Sequence, residues 1–145
     1  SLERAKGYGA DYIINSKRED VAARIQEITK GHGCTVAFDS ACFPGSLTMC
    51  MQPGILCNAG RMVPMGFSTV EEKITQAMIN QRELDIIGSR MSQNAFEPTI
   101  RHMEEGAYHT EGIATTFIPF REIDRVFYLM DHPDESAKKM VILFD

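Results

Sequence analysis

Residues Thr35–Asp39, with the sequence TVAFD, form an apolar run that ends in an acid. A short run without polar alternation is typical of a strand buried on both faces of a parallel sheet. Two similar runs follow, RMVPMGF at Arg61–Phe67, finishing at Gly66, and ELDIIGS at Glu83–Ser89. Helical stretches separate them, so the predicted order is β-α-β-α-β, which requires crossover helices and indicates a doubly wound parallel sheet.

Upstream of this run, the sequence predicts one more strand and a helix. Tyr12–Ile14 is a short apolar segment that predicts a strand, and Ser16 and Glu19 have the spacing of a capping box. The apolar positions of the helix that follows would share one face: Val21, Ile25 and Ile28. We expect Ser1–Asn15 (SLERAKGYGADYIIN) to be the middle of an α/β unit that starts before this chain.

Between the predicted strands, helices are expected over Gly45–Leu56, where Pro53 should end or kink the helix, and over the polar stretch Thr69–Asn80. The last third alternates again, with a helix over Asn94–Gly106, a β-rich segment Ile113–Phe120, a helix over Glu122–Met130, a turn at Asp131–Glu135 and a strand at Lys139–Phe144. The predicted fold class is α/β, an incomplete Rossmann-like sheet over 1–92 followed by a small α/β return segment over 93–145.

Composition excludes several classes of function. The net charge is −5 and the basic residues form no cluster, which argues against binding to a nucleic-acid backbone. No apolar run reaches the roughly 18 residues needed to cross a bilayer, so we expect no membrane partner and a cytoplasmic location. The cysteines form no C-x-x-C pair and are interpreted as structural thiols: Cys34, Cys42, Cys50 and Cys57.

The histidines could be metal ligands and the methionines could form a binding surface, but the sequence favours neither interpretation. His32, His102, His109 and His132 have no H-x-x-x-H spacing, so surface positions are expected and no metal ligand is assigned. The nine methionines are interpreted mainly as core filling rather than as a plastic binding surface. No catalytic residue is assigned in this chain.

Short motifs, taken in order, carry a resemblance to a known family. They are Arg4–Lys6 with Gly9–Asp11, Gly33-x-x-Val36-x-x-Asp39, Gly60–Val63 with Met65–Gly66, Glu83-Leu-x-Ile86-x-Gly88-Ser89, Phe117-x-Pro119-Phe120, and Lys139 with Val141–Phe144. Their order and spacing resemble the C-terminal half of medium-chain, zinc-type alcohol and polyol dehydrogenases. Asp39–Pro44 and Met65–Ser68 resemble the sugar-acid branch, the galactonate, idonate and starvation-sensing-type dehydrogenases. Thr116 stands where the family has a histidine.

The resemblance implies where a nicotinamide dinucleotide would bind. It places Ser40, Ala41 and Cys42 near the adenosine, and Lys139 near the pyrophosphate. Around the nicotinamide and its ribose it places two groups of residues, Met65, Gly66 and Phe67, and Gly88, Ser89, Arg90 and Met91. Glycines at strand ends let main chain approach a flat ring, although such glycines also simply make turns. Arg90 is either a phosphate-pairing cation or a surface residue, and Asp39 is interpreted as a capping or turn acid rather than a ribose ligand.

The resemblance further implies a fragment of an NAD(P)-dependent oxidoreductase that transfers hydride between a polyol or sugar acid and nicotinamide. Residues 1–92 would then be the C-terminal part of the nucleotide-binding domain, and 93–145 would pack on a catalytic domain whose zinc ligands lie outside this chain. The chain by itself would be inactive, and the intact protein a homo-oligomer. Two alternatives stay open: a non-catalytic, self-associating or nucleotide-binding module, and a fragment of a zinc-free quinone- or enoyl-type reductase.

Overall fold

The computed structural model describes residues 2–108, 110–132 and 137–144. The chain divides into two compact units, residues 1–93 and 94–145. The roles expected for the two segments, as part of a nucleotide-binding domain and as a return segment on a catalytic domain, stay predictions. No helix in the described residues is both long and apolar enough to cross a bilayer.

The first unit is a small parallel sheet with helices between its strands. Its elements are α1 (Leu2–Gly7), α2 (Val21–Ile28), β1 (Cys34–Asp39), α3 (Ser46–Cys50), β2 (Leu56–Pro64), α4 (Gln76–Asn80) and β3 (Asp85–Ile86). The strands form a three-stranded sheet in the order β1-β2-β3, and both pairs are parallel. The predicted β-α-β-α-β order and the parallel sheet are therefore confirmed.

The segment before α2 differs from the prediction in two respects. Tyr12–Ile14 does not form a strand, because within the described ranges no neighbouring strand pairs with it. The predicted capping box is also wrong: Asp20 caps α2 by accepting a hydrogen bond from the Ala23 N–H at 3.0 Å. The Glu19 carboxylate instead accepts from the Asn15 N–H at 2.7 Å and closes a separate turn that precedes the helix.

Strand β1 exists as predicted, but it is not buried on both faces. Phe38 is 63% exposed and Val36 is 39% exposed, whereas Ala37 packs against the core. The physical reason is its position in the sheet: β1 is an edge strand with β2 as its neighbour, and α3 packs against it. A continuous apolar run therefore does not by itself distinguish a covered strand from one with an open face.

The other predicted elements of this unit have the right type but different bounds. The predicted helix Gly45–Leu56 is only the five-residue α3, which ends well before Pro53. Strand β2 begins five residues before the predicted Arg61 and stops at Pro64. Within Thr69–Asn80 only α4 is helical, and the predicted strand Glu83–Ser89 contracts to two residues.

The core of the first unit consists of Met51, Leu56, Met62 and Leu84, with Ala37, Leu47, Cys50, Ile74, Met78 and Ile79 packed against it. Met51 and Met62 are fully buried, which confirms core filling for these two methionines. The prediction is wrong for four others whose side chains are exposed: Met65, Met91, Met103 and Met130. Two of these, Met65 and Met91, lie in the loops that follow β2 and β3.

In its described residues, the second unit contains a smaller sheet and two α-helices. Its elements are α5 (Phe96–Glu104), β4 (Thr116–Pro119), a 3₁₀ turn (Phe120–Glu122), α6 (Ile123–Asp131) and β5 (Met140–Leu143). Strands β4 and β5 are parallel, in register from Thr116 opposite Met140 to Pro119 opposite Leu143.

Packing in the second unit centres on Ile118 of β4 and Val126 of α6, both of which are buried. Phe127 and Met130 of the same helix are largely exposed, so its apolar side chains are only partly covered. The predicted turn Asp131–Glu135 lies mostly outside the described residues.

Candidate functional site

The carboxyl ends of β1 and β2 meet at one edge of the first sheet, which we call the carboxyl edge. The carbonyl of Asp39, the last residue of β1, accepts hydrogen bonds from the Met65 N–H at 2.8 Å and the Gly66 N–H at 3.1 Å. These bonds extend the β1–β2 pairing by one step beyond Pro64. The loop that follows β2 is thereby fixed beside the loop that follows β1.

The buried carboxylate of Asp39 shapes the loop after β1. One oxygen accepts a hydrogen bond from the Ala41 N–H at 3.1 Å, and the other accepts from the Ser46 hydroxyl at 2.8 Å. Asp39 is 8% exposed, so these two donors take the place of water around its buried side chain. The interpretation of Asp39 as a turn acid is confirmed, and its effect is to hold Ser40–Cys42 against the start of α3.

Cys42 and Gly66 occupy a shared space across the two loops. A Cβ built on Gly66 would lie 1.7 Å from the Cys42 Sγ and 3.2 Å from its Cβ, so no side chain fits at position 66 while Cys42 stays in place. Cys42 itself has a φ of 55°, in the left-handed region that favours glycine. The close approach explains why glycine is present at position 66, two residues after the end of β2.

The loop after β3 joins the same edge through a cation–π contact. The Arg90 guanidinium lies 4.6 Å from the centroid of the Phe67 ring, and Phe67 is 79% exposed. Gly88 differs from Gly66, because a Cβ there would meet nothing within 4 Å and its φ is not positive. Neither crowding nor backbone conformation therefore requires glycine at position 88.

The predicted positions of the first unit thus come together at one edge of the sheet: Ser40–Cys42, Met65–Phe67 and Gly88–Arg90.

Lys139, the remaining predicted cofactor residue, belongs to the second unit. Its carbonyl accepts from the Thr115 N–H at 2.9 Å, and its own N–H donates to the Thr115 hydroxyl oxygen at 2.9 Å. These bonds align the start of β5 with the residue before β4. The side chain is exposed, and its expected place beside a pyrophosphate stays a prediction.

Glu72 is a structural residue of this edge for which the sequence predicted no role. Its carboxylate accepts hydrogen bonds from the Thr48 hydroxyl at 2.6 Å, from the Gly45 N–H at 2.7 Å and from the Thr48 N–H at 3.3 Å. The Thr48 hydroxyl, followed by the Gly45 N–H, lowers the pKa of Glu72. Glu72 therefore ties the segment after Phe67 to the first residues of α3, and nothing in the sequence distinguishes it from its neighbour Glu71.

The cysteines and histidines contribute no metal site to the described residues. All four cysteines are free thiols of intermediate burial. Burial raises the pKa of the Cys34 and Cys50 thiols, and the neighbouring Cys57 adds to the shift at Cys34. His32, His102 and His132 are exposed as predicted, and His109 lies outside the described residues. Within 2–108, 110–132 and 137–144, no group of three or more His, Cys, Asp or Glu side chains could hold a metal ion.

Comparison with protein families gives the decisive match. Residues 1–105 match the model of a family described as zinc-binding dehydrogenase. The chain therefore belongs to the zinc-binding dehydrogenase family. This confirms the resemblance drawn from the motifs and accounts for the parallel sheet of the first unit.

Relatives of this zinc-binding dehydrogenase chain include proteins of the expected branch. The chain is 29% identical over 143 residues to the starvation-sensing protein RspB of Escherichia coli K12, covering 99% of this chain and 41% of RspB. It is 31% identical over 138 residues to an uncharacterized zinc-type alcohol dehydrogenase-like protein of Haemophilus influenzae, covering 94% of this chain and 40% of that protein. The chain thus spans about 41% of the length of the first of these relatives.

Solved structures give the same result at the level of fold. A crystal structure described as a short chain alcohol dehydrogenase (rspB) from E. coli CFT073, complexed with NADH, matches with a TM-score of 0.86 and 29% identity. The match covers 99% of this chain and 41% of that one. L-idonate 5-dehydrogenase of E. coli matches with a TM-score of 0.80 at 19% identity, over 99% of this chain and 40% of that one, a likeness of fold alone.

Proposed function

We propose that this chain forms the cofactor-binding edge of an NAD(P)-dependent dehydrogenase that transfers hydride between an alcohol carbon of a polyol or sugar acid and nicotinamide. One observation carries the proposal most directly: the Asp39 carbonyl binds the Met65 and Gly66 amides and fixes the loops after β1 and β2 side by side. Ligands of parallel α/β sheets bind outside the carboxyl ends of the strands, which is where these loops lie.

The residues present fit a flat, phosphate-bearing cofactor. Gly88 offers main chain without side-chain crowding, and the exposed side chains of Met65 and Phe67 present apolar surface at the same edge of the sheet. Arg90 would supply a cation for a phosphate oxygen, and we assign the same role to Lys139. When the cofactor is bound, its nicotinamide ring supplies the hydride chemistry. The residues named in this paragraph bind and orient the cofactor and exclude water from one face of the ring.

The names of the relatives support the cofactor and the substrate class. The rspB structure contains NADH, and a relative from Sulfurisphaera tokodaii is named as an NAD-dependent alcohol dehydrogenase. Other relatives are named erythritol/L-threitol, D-arabitol-phosphate and sorbitol dehydrogenases. We therefore propose NAD or NADP as cofactor and a polyhydroxylated alcohol as substrate.

We assign the catalytic zinc of such an enzyme to residues other than those described here, because the described residues contain no group of side chains able to hold it. As the family resemblance implies, we expect the chain by itself to catalyse no polyol oxidation. The homo-oligomeric state, the cytoplasmic location and the two alternative functions are untested by these observations and stay predictions.

The proposal is tested by NADH binding to the purified chain and to Gly88→Val, measured by saturation-transfer NMR on the nicotinamide protons. A valine side chain would occupy the space assigned to the ring, so we expect binding about tenfold weaker, equivalent to about 1.4 kcal/mol. Gly7→Val is the matched control, because Gly7 is likewise uncrowded and has no positive φ. Absence of NADH binding to the unaltered chain, or equal binding by Gly88→Val, would contradict the proposal.

A further inference from the structure

A pocket of about 630 Å³ opens at the amino ends of β1 and β2, the opposite end of these strands from the candidate cofactor edge. Its wall includes Gln26, His32, Thr35, Cys57, Asn58 and Arg82. This volume is within the range of about 300–1,000 Å³ that is usual for small-molecule sites. The lining combines polar side chains with apolar atoms, and the described residues that form it include no Asp or Glu, although the chain as a whole has a net charge of −5.

An irregularity in the sheet builds one side of this pocket. Cys34 of β1 pairs with Leu56 of β2, but Val36 already pairs with Arg61, so β2 contains extra residues opposite β1. Cys57 and Asn58, which are among these extra residues, line the pocket. Bulges of this kind re-aim side chains and occur often beside functional sites.

The bulge is held in a fixed conformation. Ala59 has a φ of 53°, a left-handed conformation that is costly for alanine, and its N–H donates to the Arg82 carbonyl at 2.7 Å. A Cβ at Gly60 would lie 2.7 Å from the Leu56 Cγ and 2.8 Å from the Cys57 carbonyl oxygen, so only glycine fits there. The pocket wall is therefore preorganised by its backbone.

Arg82 provides a positive charge at this wall. The half-buried guanidinium donates one hydrogen bond to the Met51 carbonyl and one to the Leu56 carbonyl, the latter at 2.7 Å. A guanidinium has five N–H donors, so these two bonds do not exhaust its capacity. Within the described ranges no carboxylate forms an ion pair with Arg82. A partly desolvated guanidinium without an anionic partner is suited to bind a carboxylate or a phosphate group.

The neighbouring side chains suggest what the remainder of a ligand would carry. The Gln26 amide nitrogen donates to the Gly54 carbonyl at 2.7 Å, which fixes this side chain at the pocket wall. The amide of Asn58 and the hydroxyl of Thr35 add further donors and acceptors. We propose that this pocket binds a small hydroxylated oxyanion, a phosphate ester or a carboxylate, whose anionic group is held by Arg82. This proposal does not depend on the proposed function of the carboxyl edge.

The test is a titration of the chain with glycerol 3-phosphate and, separately, with gluconate at constant ionic strength, followed by NMR of the Gly33 and Cys57–Gly60 amides. The informative variant is Asn58→Asp, which is isosteric, exposed and adds a negative charge to the lining without removing Arg82. We expect saturable binding of at least one probe to the unaltered chain and about tenfold weaker binding to Asn58→Asp.

The matched control is Gln93→Glu, which adds the same charge at an exposed position outside the pocket and should bind as the unaltered chain does.

Tighter binding of glycerol 3-phosphate assigns the site to phosphate esters, and tighter binding of gluconate assigns it to carboxylates. Arg82→Gln is unsuitable as the first variant, because it also removes the bonds to the Met51 and Leu56 carbonyls. Binding of neither probe, or equal binding by Asn58→Asp, would overturn the proposal.

Discussion

At the scale of single residues, the carboxyl edge depends on how Cys42 and Gly66 share one space. The Cys42 Sγ lies where a Cβ at position 66 would be, so Gly66→Ala forces the Cys42 side chain to rotate or one of the two loops to move. Overpacking of this kind costs about 1–3 kcal/mol. We therefore expect Gly66→Ala to lower the free energy of unfolding by this amount, measured by urea denaturation.

A double-mutant cycle isolates the cause of that loss. In a Cys42→Gly background the obstructing side chain is gone, so Gly66→Ala should cost at least about 1 kcal/mol less than it does in the unaltered chain. Gly88→Ala, at an uncrowded glycine of the same edge, is the control and should change stability by less than about 0.5 kcal/mol. An equal cost of Gly66→Ala in both backgrounds would mean that Cys42 is not the obstruction.

At the scale of elements, Glu72 links α3 to the segment that follows β2. Because the pKa of Glu72 is lowered in the folded chain, its ionised form stabilises the fold at pH values well above 4.5, the ordinary value. This contribution is lost as the pH falls through the lowered folded-state pKa. We expect Glu72→Gln to be less stable than the unaltered chain at neutral pH, with a difference that shrinks on acidification.

The measurement is the free energy of unfolding of both chains across the acidic range. Glu71→Gln is the matched control, since Glu71 is the adjacent acid, is exposed and has no such hydrogen bonds in the described structure. A difference between Glu72→Gln and the unaltered chain that is independent of pH would show that the carboxylate charge is not what stabilises this link.

The elements also show which features local sequence patterns predict. The apolar runs around Val36, Met62 and Ile86 predict the parallel strands that the structure contains. The helices between these runs require crossover connections, and such connections are compatible with few other arrangements of the strands. Burial was not predictable in the same way, since whether Phe38 is covered depends on which elements lie beside β1. The bulge at Ala59 and the contacts of Glu72 were also missed, because both result from tertiary pairing and have no signature in the local sequence.

At the scale of the whole molecule, the candidate cofactor residues fall in both compact units. Ser40–Cys42, Met65–Phe67 and Gly88–Arg90 belong to the first unit, and Lys139 belongs to the second. The family match covers residues 1–105, and the chain spans about 41% of RspB. The family and the positions at the sheet edge were predictable from ordered motifs, whereas the role of Lys139 depends on the resemblance alone.

The central claim is that the carboxyl edge of the first sheet binds a nicotinamide dinucleotide, and amide chemical-shift mapping tests it most directly. Titration of the isotope-labelled chain with NADH should move the amide signals of Ala41, Cys42, Met65–Phe67 and Gly88–Arg90 in a saturable manner. The amides of Gly33 and Cys57–Gly60, at the other end of the strands, should stay in place. Shifts confined to those amino-end residues, or no saturable shift at the carboxyl edge, would contradict the account.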